Sequence, residues 1–453
     1  MNNPSNDFMA AWDACAERCA KPLPPEVLQA ARQVWFDTCA VTAAGAGENT
    51  TRAAVAVAEG RGLMSADAGL VLGTASHALD YDDVCMLATC HPSAPVVSAL
   101  MALLPRARPG LALSDLLAAH VLGTETLLRL GAWLGFRHYG LGFHATGTLG
   151  SVGAAAAAAH VLGLTRAQAH AALSIAASSA SGLRANFGTD TKPLHVGFAA
   201  VAGIRAALLA QAGAQASDDV WGANGFFHAF NGGVPVTRLD WEPGMPFALQ
   251  QPGFELKRFP SCYLTHRLIA GVLALRARRP GAAGEEVRIA IEMPRNGTAP
   301  LKHPRATTGL EAKFSGPYCG AAAWIDGQVG LASFTDAAVR RPALQALMPK
   351  VTLVERTLDG ETLDSAPVVV EVSGSGWTEM IVVDWAPGSL ADPFTRDELL
   401  AKWRDCASHA GLPADARAML DLLDAPLDTP AASVLTPLRQ LLVDACTASP
   451  AAR

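Results

Sequence analysis

The sequence predicts a mainly α-helical protein in which a large all-helical domain is interrupted by a smaller α+β domain. From Pro25 to about Arg278, apolar residues recur with helical spacing almost throughout. After Arg278, short β-rich runs alternate with turns, and from Thr395 onward the helical spacing returns. We therefore expect residues 1–265 and 395–453 to form one helical domain and residues 266–394 to form an inserted α+β lid domain.

The first helical region contains three segments with clear helix signals. One helix should begin at Pro25, because proline favours the first helical turn, and a second should span about Leu113–Leu128. Thr165 and Gln168 form a capping-box pattern, in which a hydroxyl is followed three residues later by an amide. A third helix should therefore start after Thr165 and continue through Ser178. It is apolar on nearly all sides, so we expect it to be buried.

Two nearly uncharged segments, Thr146–Leu164 and Phe198–Ala212, are long enough to be considered as membrane spans. Both are rich in Ala and Gly, and they contain His160 and Arg205 respectively, whereas a membrane span needs about 20 strongly apolar residues. Small residues at helical spacing instead let helices approach closely. We therefore predict that both segments are core helices and that the protein does not span a membrane.

The α+β region should contain about four strands with helices on one face of the sheet. Glu286–Glu292 alternates apolar and polar residues, as a half-buried strand does. Val351–Val354, Pro367–Val372 and Met380–Val383 are further β-rich runs. Helix-like pieces lie between the strands, and the longest covers Ala312–Ile325.

Composition restricts the possible partners and the compartment. The chain has 453 residues, half of them hydrophobic and 17% charged, which is typical of a globular protein with two domains. The net charge of −6 and the scattered basic residues predict that nucleic acid is not a partner. The nine cysteines lack CxxC pairs and indicate small core residues. Because a polar segment follows Met1, we expect a cytoplasmic protein.

The segment from Ala75 to Pro95 concentrates groups that transfer protons. On a helix, Asp80 and Asp83 share a face with His77, and a short loop then delivers His91 just before a proline. Asp80 lies between apolar neighbours, so we favour a functional role for it. For Asp82 and Asp83 we favour the structural interpretation, because Asp often caps the helix that follows.

His144, Lys192 and His195 are further residues that could have either a functional or a structural role. His144 immediately precedes a predicted helix, as His91 does, although a single histidine is more often structural. Lys192 and His195 lie between two strongly apolar helices, where an unpaired ammonium group would be costly. Either a substrate carboxylate or an ion pair with Asp190 or another nearby acid would offset that cost, and both alternatives stay open.

Several kinds of site are missing from the sequence. There is no HExxH motif, no Cys/His cluster with zinc spacing, no Walker loop, no GxGxxG after a strand and no GxSxG elbow. An Asp-rich motif that binds magnesium would need a second ligand cluster, and the sequence contains none. We therefore expect no metal site.

Six long and unusual stretches extend over nearly the whole chain. They are HALDYDD at 77–83, HPSAP at 91–95, GFHATGTLGSVGAAAAAA at 142–159, SGLRANFGTDTKPLH at 181–195, KRFPSCYLTH at 257–266 and EAKFSGPY at 311–318. In content and order they resemble the MmgE/PrpD family. The resemblance implies a helical domain built from both ends of the chain, an α+β lid, a homodimer, and chemistry without a metal or an organic cofactor.

The resemblance also implies which residues form the active site. Those at the family's active-site positions are Asp80, His91, His144, Lys192, Lys257 and Tyr318. Lys192 and Lys257, together with His195, would bind carboxylates of the substrate. His91 or His144, assisted by Asp80, would move a proton at a carbon next to a carboxylate, and either histidine remains possible as the base. Tyr318 would approach from the lid.

We therefore expect a cofactor-independent, dehydratase-like lyase that acts on a small di- or tricarboxylate. The alternatives are an epimerase of a dicarboxylate such as iminodisuccinate and a decarboxylase of the cis-aconitate type. Val84 and Cys262 stand where the family's cis-aconitate decarboxylases have a threonine and a histidine, which favours dehydration or epimerisation. A non-catalytic helical scaffold is disfavoured, because it would not need to bury charged and imidazole groups.

Overall fold

The computed structural model describes residues 4–58, 66–222, 224–236, 241–242, 244–281, 285–357, 363 and 366–448. Within these residues the protein is mainly α-helical and contains a small mixed sheet of four strands, which confirms the predicted class. The chain divides into two compact units. The first unit comprises Met1–Asn186, Asp190–Phe254 and Arg396–Arg453, and the second comprises Phe187–Thr189 and Glu255–Thr395.

The N-terminal part of the first unit is mainly α-helical. Its helices are α1 (Pro4–Cys19), α2 (Pro25–Gly45), α3 (Asn49–Ala58), α4 (Ala66–His77), α5 (Ser93–Leu103), α6 (Leu113–Gly140), α7 (Ala145–Leu162), α8 (Arg166–Ser178), α9 (Thr191–Gln211) and the short α10 (Phe226–Phe230). Helix α2 begins at Pro25, as predicted. Helix α6 continues beyond the predicted end and changes direction at Gly135, whose φ of 62° is accessible to a residue without a side chain.

Helix α8 confirms its predicted start and corrects its predicted burial. The Thr165 hydroxyl accepts a hydrogen bond from the Gln168 backbone N–H at 3.3 Å, and the Gln168 side chain accepts from the Thr165 N–H at 3.0 Å. The helix was expected to be buried on all sides, but it packs on α7 and α9 through one face and leaves Ala167 exposed. Alanine is small enough to tolerate either environment, so its presence did not reveal the exposed side.

Helices α7 and α9 form the centre of the first unit. Both are long and apolar enough to cross a membrane, but 89% of the apolar window in α7 and 61% of that in α9 are buried inside the protein. Small residues let them approach closely: a Cβ atom placed on Gly203 of α9 would lie 2.5 Å from the Cβ of Ala154 in α7. The burial agrees with the interpretation of these helices as core elements.

The second unit contains the sheet and five helices among its described residues. In chain order these are α11 (His266–Arg278), β1 (Arg288–Pro294), α12 (Gly309–Ala312), α13 (Gly316–Asp326), α14 (Asp336–Val339), α15 (Pro342–Leu347), β2 (Val351–Arg356), β3 (Val368–Gly374) and β4 (Trp377–Val383). The strand order is β2-β1-β3-β4, with β1 and β2 parallel and the other pairs antiparallel. Each of the four β-rich runs seen in the sequence corresponds to one strand.

One face of the sheet packs against helices and carries the hydrophobic core of the second unit. Helix α11 contacts β3 and β4, and α13 contacts β2. Leu268 and Val272 of α11, Trp324 of α13, and Ile291 and Val370 of the sheet all lie in this core. The alternating burial of β1 follows from the pleat, which directs successive side chains to opposite faces.

The C-terminal part of the chain returns to the first unit, and its described residues, up to 448, contain three helices. These are α16 (Arg396–Ala410), α17 (Arg417–Asp424) and α18 (Ala431–Thr447). Helix α16 begins directly after Thr395, where the sequence predicts a helix start, and it packs against α2. All nine cysteines of the chain are buried free thiols, as expected for small core residues.

Candidate active site

The segment that joins α4 to α5 brings two histidines together. Helix α4 ends at His77, and His91 lies just before α5. Between them the backbone reverses at Asp80, which has a φ of 52°, in the left-handed region that Asp tolerates better than most residues. The centroids of the two imidazole rings are 4.5 Å apart, with the rings nearly perpendicular. A helix end and a helix start therefore supply two titratable groups to one point.

Asp82 links these two histidines. One of its carboxylate oxygens, Oδ2, lies 2.8 Å from His77 Nδ1 and 3.2 Å from His91 Nδ1. Burial by itself would raise the pKa of Asp82, but the His77 and His91 imidazoles hold that pKa well below its usual range. Asp82 is therefore a buried carboxylate that accepts the Nδ1–H of His77. The sequence favoured a structural role for Asp82 as a helix cap, and the structure places its carboxylate against the two imidazoles.

Lys192 and Asp80 form a buried ion pair. Lys192 is the second residue of α9, and its Nζ lies 2.7 Å from Asp80 Oδ1, with both residues only 4% exposed. His91 Nε2 lies 3.6 Å from the same carboxylate oxygen. The lysine therefore pairs with Asp80, whereas Asp190, the other acid considered, accepts a hydrogen bond from the Asn49 side chain.

His144 and His195 form a second imidazole pair beside the first. Their Nδ1 atoms are 2.9 Å apart, and the ring of His77 stacks on that of His144 at a centroid distance of 5.6 Å. Burial lowers the pKa of His77 to about 3 and that of His195 to about 4, and burial together with His77 and Lys192 lowers the pKa of His144. These three imidazoles are therefore neutral at neutral pH.

The short contact between two neutral imidazoles determines their tautomers. A hydrogen bond between the Nδ1 atoms requires that one of them carries the proton and the other does not. In the ring whose Nδ1 is protonated, Nε2 has a lone pair, whereas in the other ring Nε2 carries a proton. His144 and His195 therefore present one basic nitrogen and one N–H donor, which are the two functions that acid–base catalysis needs.

Backbone contacts hold the two histidine pairs in place. The backbone N–H of His91 donates to Thr146 Oγ1 at 3.1 Å, and the N–H of His144 donates to the carbonyl of Gly182 at 3.0 Å. Gly182 has a φ of 133°, and a Cβ atom there would lie 3.4 Å from both the His144 Cβ and the His195 ring. Only glycine combines this backbone conformation with such close contact to both residues.

Asp83 has the structural role that the sequence favoured. It accepts a hydrogen bond from the backbone N–H of Ser93, the first residue of α5, at 3.2 Å, and its other oxygen lies 2.5 Å from the Ser93 hydroxyl. The Ser93 hydroxyl also lies 3.0 Å from His120 Nε2. Burial raises the pKa of Asp83 to about 8, so its carboxyl group keeps a proton at neutral pH. This chain of hydrogen bonds fixes the start of α5 behind His91.

Lys257 and Tyr318 belong to the second unit and are described there. Lys257 is almost completely buried, at 1% exposure. Tyr318 lies in the hydrophobic core, its hydroxyl donates to the carbonyl of Ser333, and burial raises its pKa above the usual value. The contacts of Tyr318 are typical of a structural tyrosine. The substrate-binding role of Lys257 and the catalytic role of Tyr318 stay predictions.

The cluster in the first unit contains seven residues. Five of them were predicted as site residues, and two were not. The five are Asp80, His91, His144, Lys192 and His195. The additional two are His77 and Asp82. Both stand in the HALDYDD stretch, so the sequence identified the segment. Their roles depend on the reversal at Asp80, which helical spacing did not predict.

Four members of this cluster are also possible metal ligands. The nearest donor atoms of His77, Asp80, Asp82 and His91 all lie within 4.8 Å of one another. Two imidazoles and two carboxylates would suit a transition metal by ligand type. However, the ammonium group of Lys192 already pairs with Asp80 at 2.7 Å and would repel a cation beside it. A metal ion bound through Asp80 would therefore have to lie beside a positive charge, which disfavours a metal site at this point.

Comparison with known proteins identifies relatives over most of the chain. Residues 12–238 match the MmgE/PrpD N-terminal domain, and residues 259–426 match the MmgE/PrpD C-terminal domain. A cis-aconitate decarboxylase from Homo sapiens is 34% identical over 298 residues, which are 63% of this chain and 60% of that protein. The Mus musculus cis-aconitate decarboxylase is 30% identical over 82% of this chain and 78% of its own length. A cis-aconitate decarboxylase from Aspergillus terreus is 27% identical over 72% of this chain and 70% of its own length.

Proposed function

The chain belongs to the MmgE/PrpD family, and on that premise we propose that it is a lyase that acts on a small di- or tricarboxylate. The observation that carries the proposal is the grouping of four imidazoles around the Lys192–Asp80 ion pair. The relatives named above are cis-aconitate decarboxylases, which supports a small carboxylate as substrate. A homodimer and a cytoplasmic location stay predictions.

Lys192 would bind one carboxylate of the substrate. Its ammonium group is buried, so its attraction to an anion is screened less than that of a surface lysine. The carboxylate of Asp80 keeps the ammonium in place at 2.7 Å. A substrate anchored there would lie beside the histidine cluster.

The histidines would carry the proton transfer. The basic Nε2 in the His144–His195 pair would remove a proton from the carbon next to a substrate carboxylate. His91 has a carboxylate near each ring nitrogen, which would stabilise the imidazolium form, so it would supply the proton to the leaving group. In a dehydration, the leaving hydroxyl group then departs as water and a carbon–carbon double bond forms.

Dehydration is the first reaction that we propose, and decarboxylation is the second. By the resemblance described above, Val84 and Cys262 stand where the family's cis-aconitate decarboxylases have a threonine and a histidine, which favours dehydration or epimerisation over decarboxylation. The names of the relatives support decarboxylation, in which CO₂ leaves and the same histidines deliver a proton to the carbon. Both reactions belong to the lyase class and use the same residues for binding and proton transfer.

One experiment distinguishes these reactions. The protein is incubated in deuterated water with 2-methylcitrate, cis-aconitate or iminodisuccinate, with and without a chelator, and each mixture is followed by NMR. Loss of water or of CO₂ identifies the type of lyase, and a chelator should leave the rate unchanged because Lys192 supplies the positive charge. Inversion of a carbon with deuterium incorporation would identify an epimerase. No change with any substrate would contradict the proposal.

Two substitutions test the site. His91→Ala and Lys192→Ala should each lower turnover by at least about 100-fold, because one removes a proton donor and the other removes the carboxylate anchor. His228→Ala and Lys21→Ala are matched controls at exposed positions of the first unit and should leave turnover unchanged. Circular dichroism checks that each variant is folded. Full activity in either site variant would disprove the assignment.

A further inference from the structure

A buried lysine from the C-terminal helices reaches the backbone of the candidate active site. Lys402 lies on α16 and is 5% exposed. Its Nζ is 2.6 Å from Oδ1 of Asp37, a buried residue of α2. The same ammonium group donates to the carbonyl oxygen of Tyr81 at 3.1 Å and lies 3.9 Å from the centroid of the Tyr81 ring. One side chain therefore connects α16, α2 and the segment between α4 and α5.

The contact between Lys402 and Tyr81 affects the site because Tyr81 is flanked in the chain by Asp80 and Asp82. Asp80 holds Lys192, and Asp82 contacts His77 and His91. Tyr81 lies between these two aspartates, and its carbonyl belongs to the peptide bond that leads into Asp82, so a contact with that carbonyl constrains the backbone beside both carboxylates. The φ of 52° at Asp80 is less costly for Asp than for most residues, but it is still sparsely populated and persists where the surroundings impose it. The bond from Lys402 to the next carbonyl is such a constraint.

We propose that Lys402 is a positioning residue that holds the Asp80–Asp82 turn in its active geometry through the Tyr81 carbonyl. The C-terminal helix α16 therefore contributes to the site without contacting the substrate. The activity readouts below rest on the proposed function, whereas the spectroscopic readout does not. The opposing interpretation is that Lys402 only neutralises the buried charge of Asp37.

Three variants separate these two roles. Lys402→Met keeps most of the side-chain volume but removes the ammonium group that lies 2.6 Å from the buried Asp37 carboxylate, so it should lower the melting temperature. The double variant Asp37→Asn/Lys402→Met removes both charges, so the melting temperature should return close to that of the parent. Arg404→Met is the matched control, because Arg404 is an exposed cation two residues further along α16.

The double variant gives the decisive activity result. If Lys402 positions the turn, the double variant should be stable but have a kcat lowered about 10- to 100-fold, with KM changed less than about threefold, as for other residues that orient catalytic groups. The control Arg404→Met should match the parent. If the double variant recovers kcat to within about twofold of the parent, Lys402 acts only as a counter-charge and the proposal is wrong.

An NMR measurement tests the proposal without any substrate. In the parent labelled with ¹⁵N-histidine, the Nδ1–H that His77 donates to Asp82 should give a strongly downfield proton signal. This signal should shift or disappear in the stable double variant, because the Asp80–Asp82 turn has lost its constraint, and it should persist in Arg404→Met. An unchanged signal in the double variant would overturn the proposal. If the parent converts none of the three carboxylates, the proposed function fails, but this spectrum still decides the role of Lys402.

Discussion

Asp82 and Asp83 are adjacent in the chain, but at neutral pH Asp82 is charged and Asp83 is neutral. Burial would raise both pKa values, but Asp82 faces two imidazoles that stabilise its carboxylate. Asp83 instead contacts the hydroxyl and backbone of Ser93, and these hydrogen bonds do not offset burial, so its pKa is raised to about 8. The difference arises from the partner groups, because both residues are completely buried.

This difference predicts unequal effects of two equivalent substitutions. Asp83→Asn should leave turnover within about threefold of the parent, because an amide can replace a protonated carboxyl group in both hydrogen bonds to Ser93. Asp82→Asn should lower turnover by at least about 100-fold, because a neutral amide cannot stabilise positive charge on His91. Steady-state kinetics of both variants with the substrate identified by NMR, at pH 7, provide the measurement.

Each variant is a control for the other, because both replace a buried aspartate with asparagine at adjacent positions. Thermal melts would show whether either loss is a folding effect. Equal losses of turnover in two folded variants would contradict the assigned charge states.

At the scale of elements, the first unit depends on close contacts between helices rich in small residues. A Cβ atom on Gly203 of α9 would lie 2.5 Å from the Cβ of Ala154 and 2.6 Å from the backbone nitrogen of Ala155, both in α7. Real Cβ atoms do not approach so closely, so the two helices are held at a distance that only glycine permits. The Ala/Gly-rich composition that resembles a membrane segment therefore serves packing inside the protein.

This packing predicts that Gly203→Ala is destabilising although alanine is the better helix former. The added methyl group would push α9 away from α7, at a cost of about 1–3 kcal/mol in the free energy of unfolding. Gly140→Ala, at the exposed end of α6 with no atom within 4 Å of its Cβ position, should change stability by less than about 1 kcal/mol. Urea unfolding of both variants measures the difference. Equal stabilities would argue against the close contact.

At the scale of the whole molecule, buried histidines make stability depend on pH. Burial lowers the pKa of His77 and His120 to about 3 and, with a contribution from nearby cations, that of His160 and His195 to about 4. An unfolded histidine has a pKa of about 6.5, so between pH 4 and 6.5 the unfolded chain binds protons that the folded chain does not. Asp83 acts in the opposite direction, because its raised pKa keeps a proton on the folded protein up to about pH 8.

Together the four histidines bind more protons in the unfolded chain than Asp83 binds in the folded chain up to about pH 7. The free energy of unfolding should therefore rise from pH 4.5 to about 7 and then fall towards pH 8. Urea unfolding over this range provides the measurement. His120→Asn should reduce the acid slope by about 1 kcal/mol per pH unit near pH 5, because one proton no longer binds preferentially to the unfolded chain. An unchanged slope in this variant would indicate that His120 is not held neutral.

Sequence patterns predicted the helices and strands better than they predicted which elements pack against each other. The starts of α2, α8 and α16 and all four strands follow from capping residues and from residue spacing, which act over a few neighbouring residues. The complete burial expected for α8 was wrong, because its apolar composition did not show which neighbours would cover it. Which residues the cluster contains was largely predicted as well, through the resemblance to a family.

By itself the sequence determined the mainly α-helical class, the four strands, the family and the segment that carries the candidate site. The tertiary structure decided which aspartate is charged, that Lys192 pairs with Asp80 across 112 positions of the chain, and that Lys402 reaches Tyr81 across 321 positions. The physical reason is the distance along the chain over which each interaction acts. Helix caps and strand alternation are local, whereas burial and ion pairing depend on which distant helices pack together, and these interactions determine the charge of each group in the site.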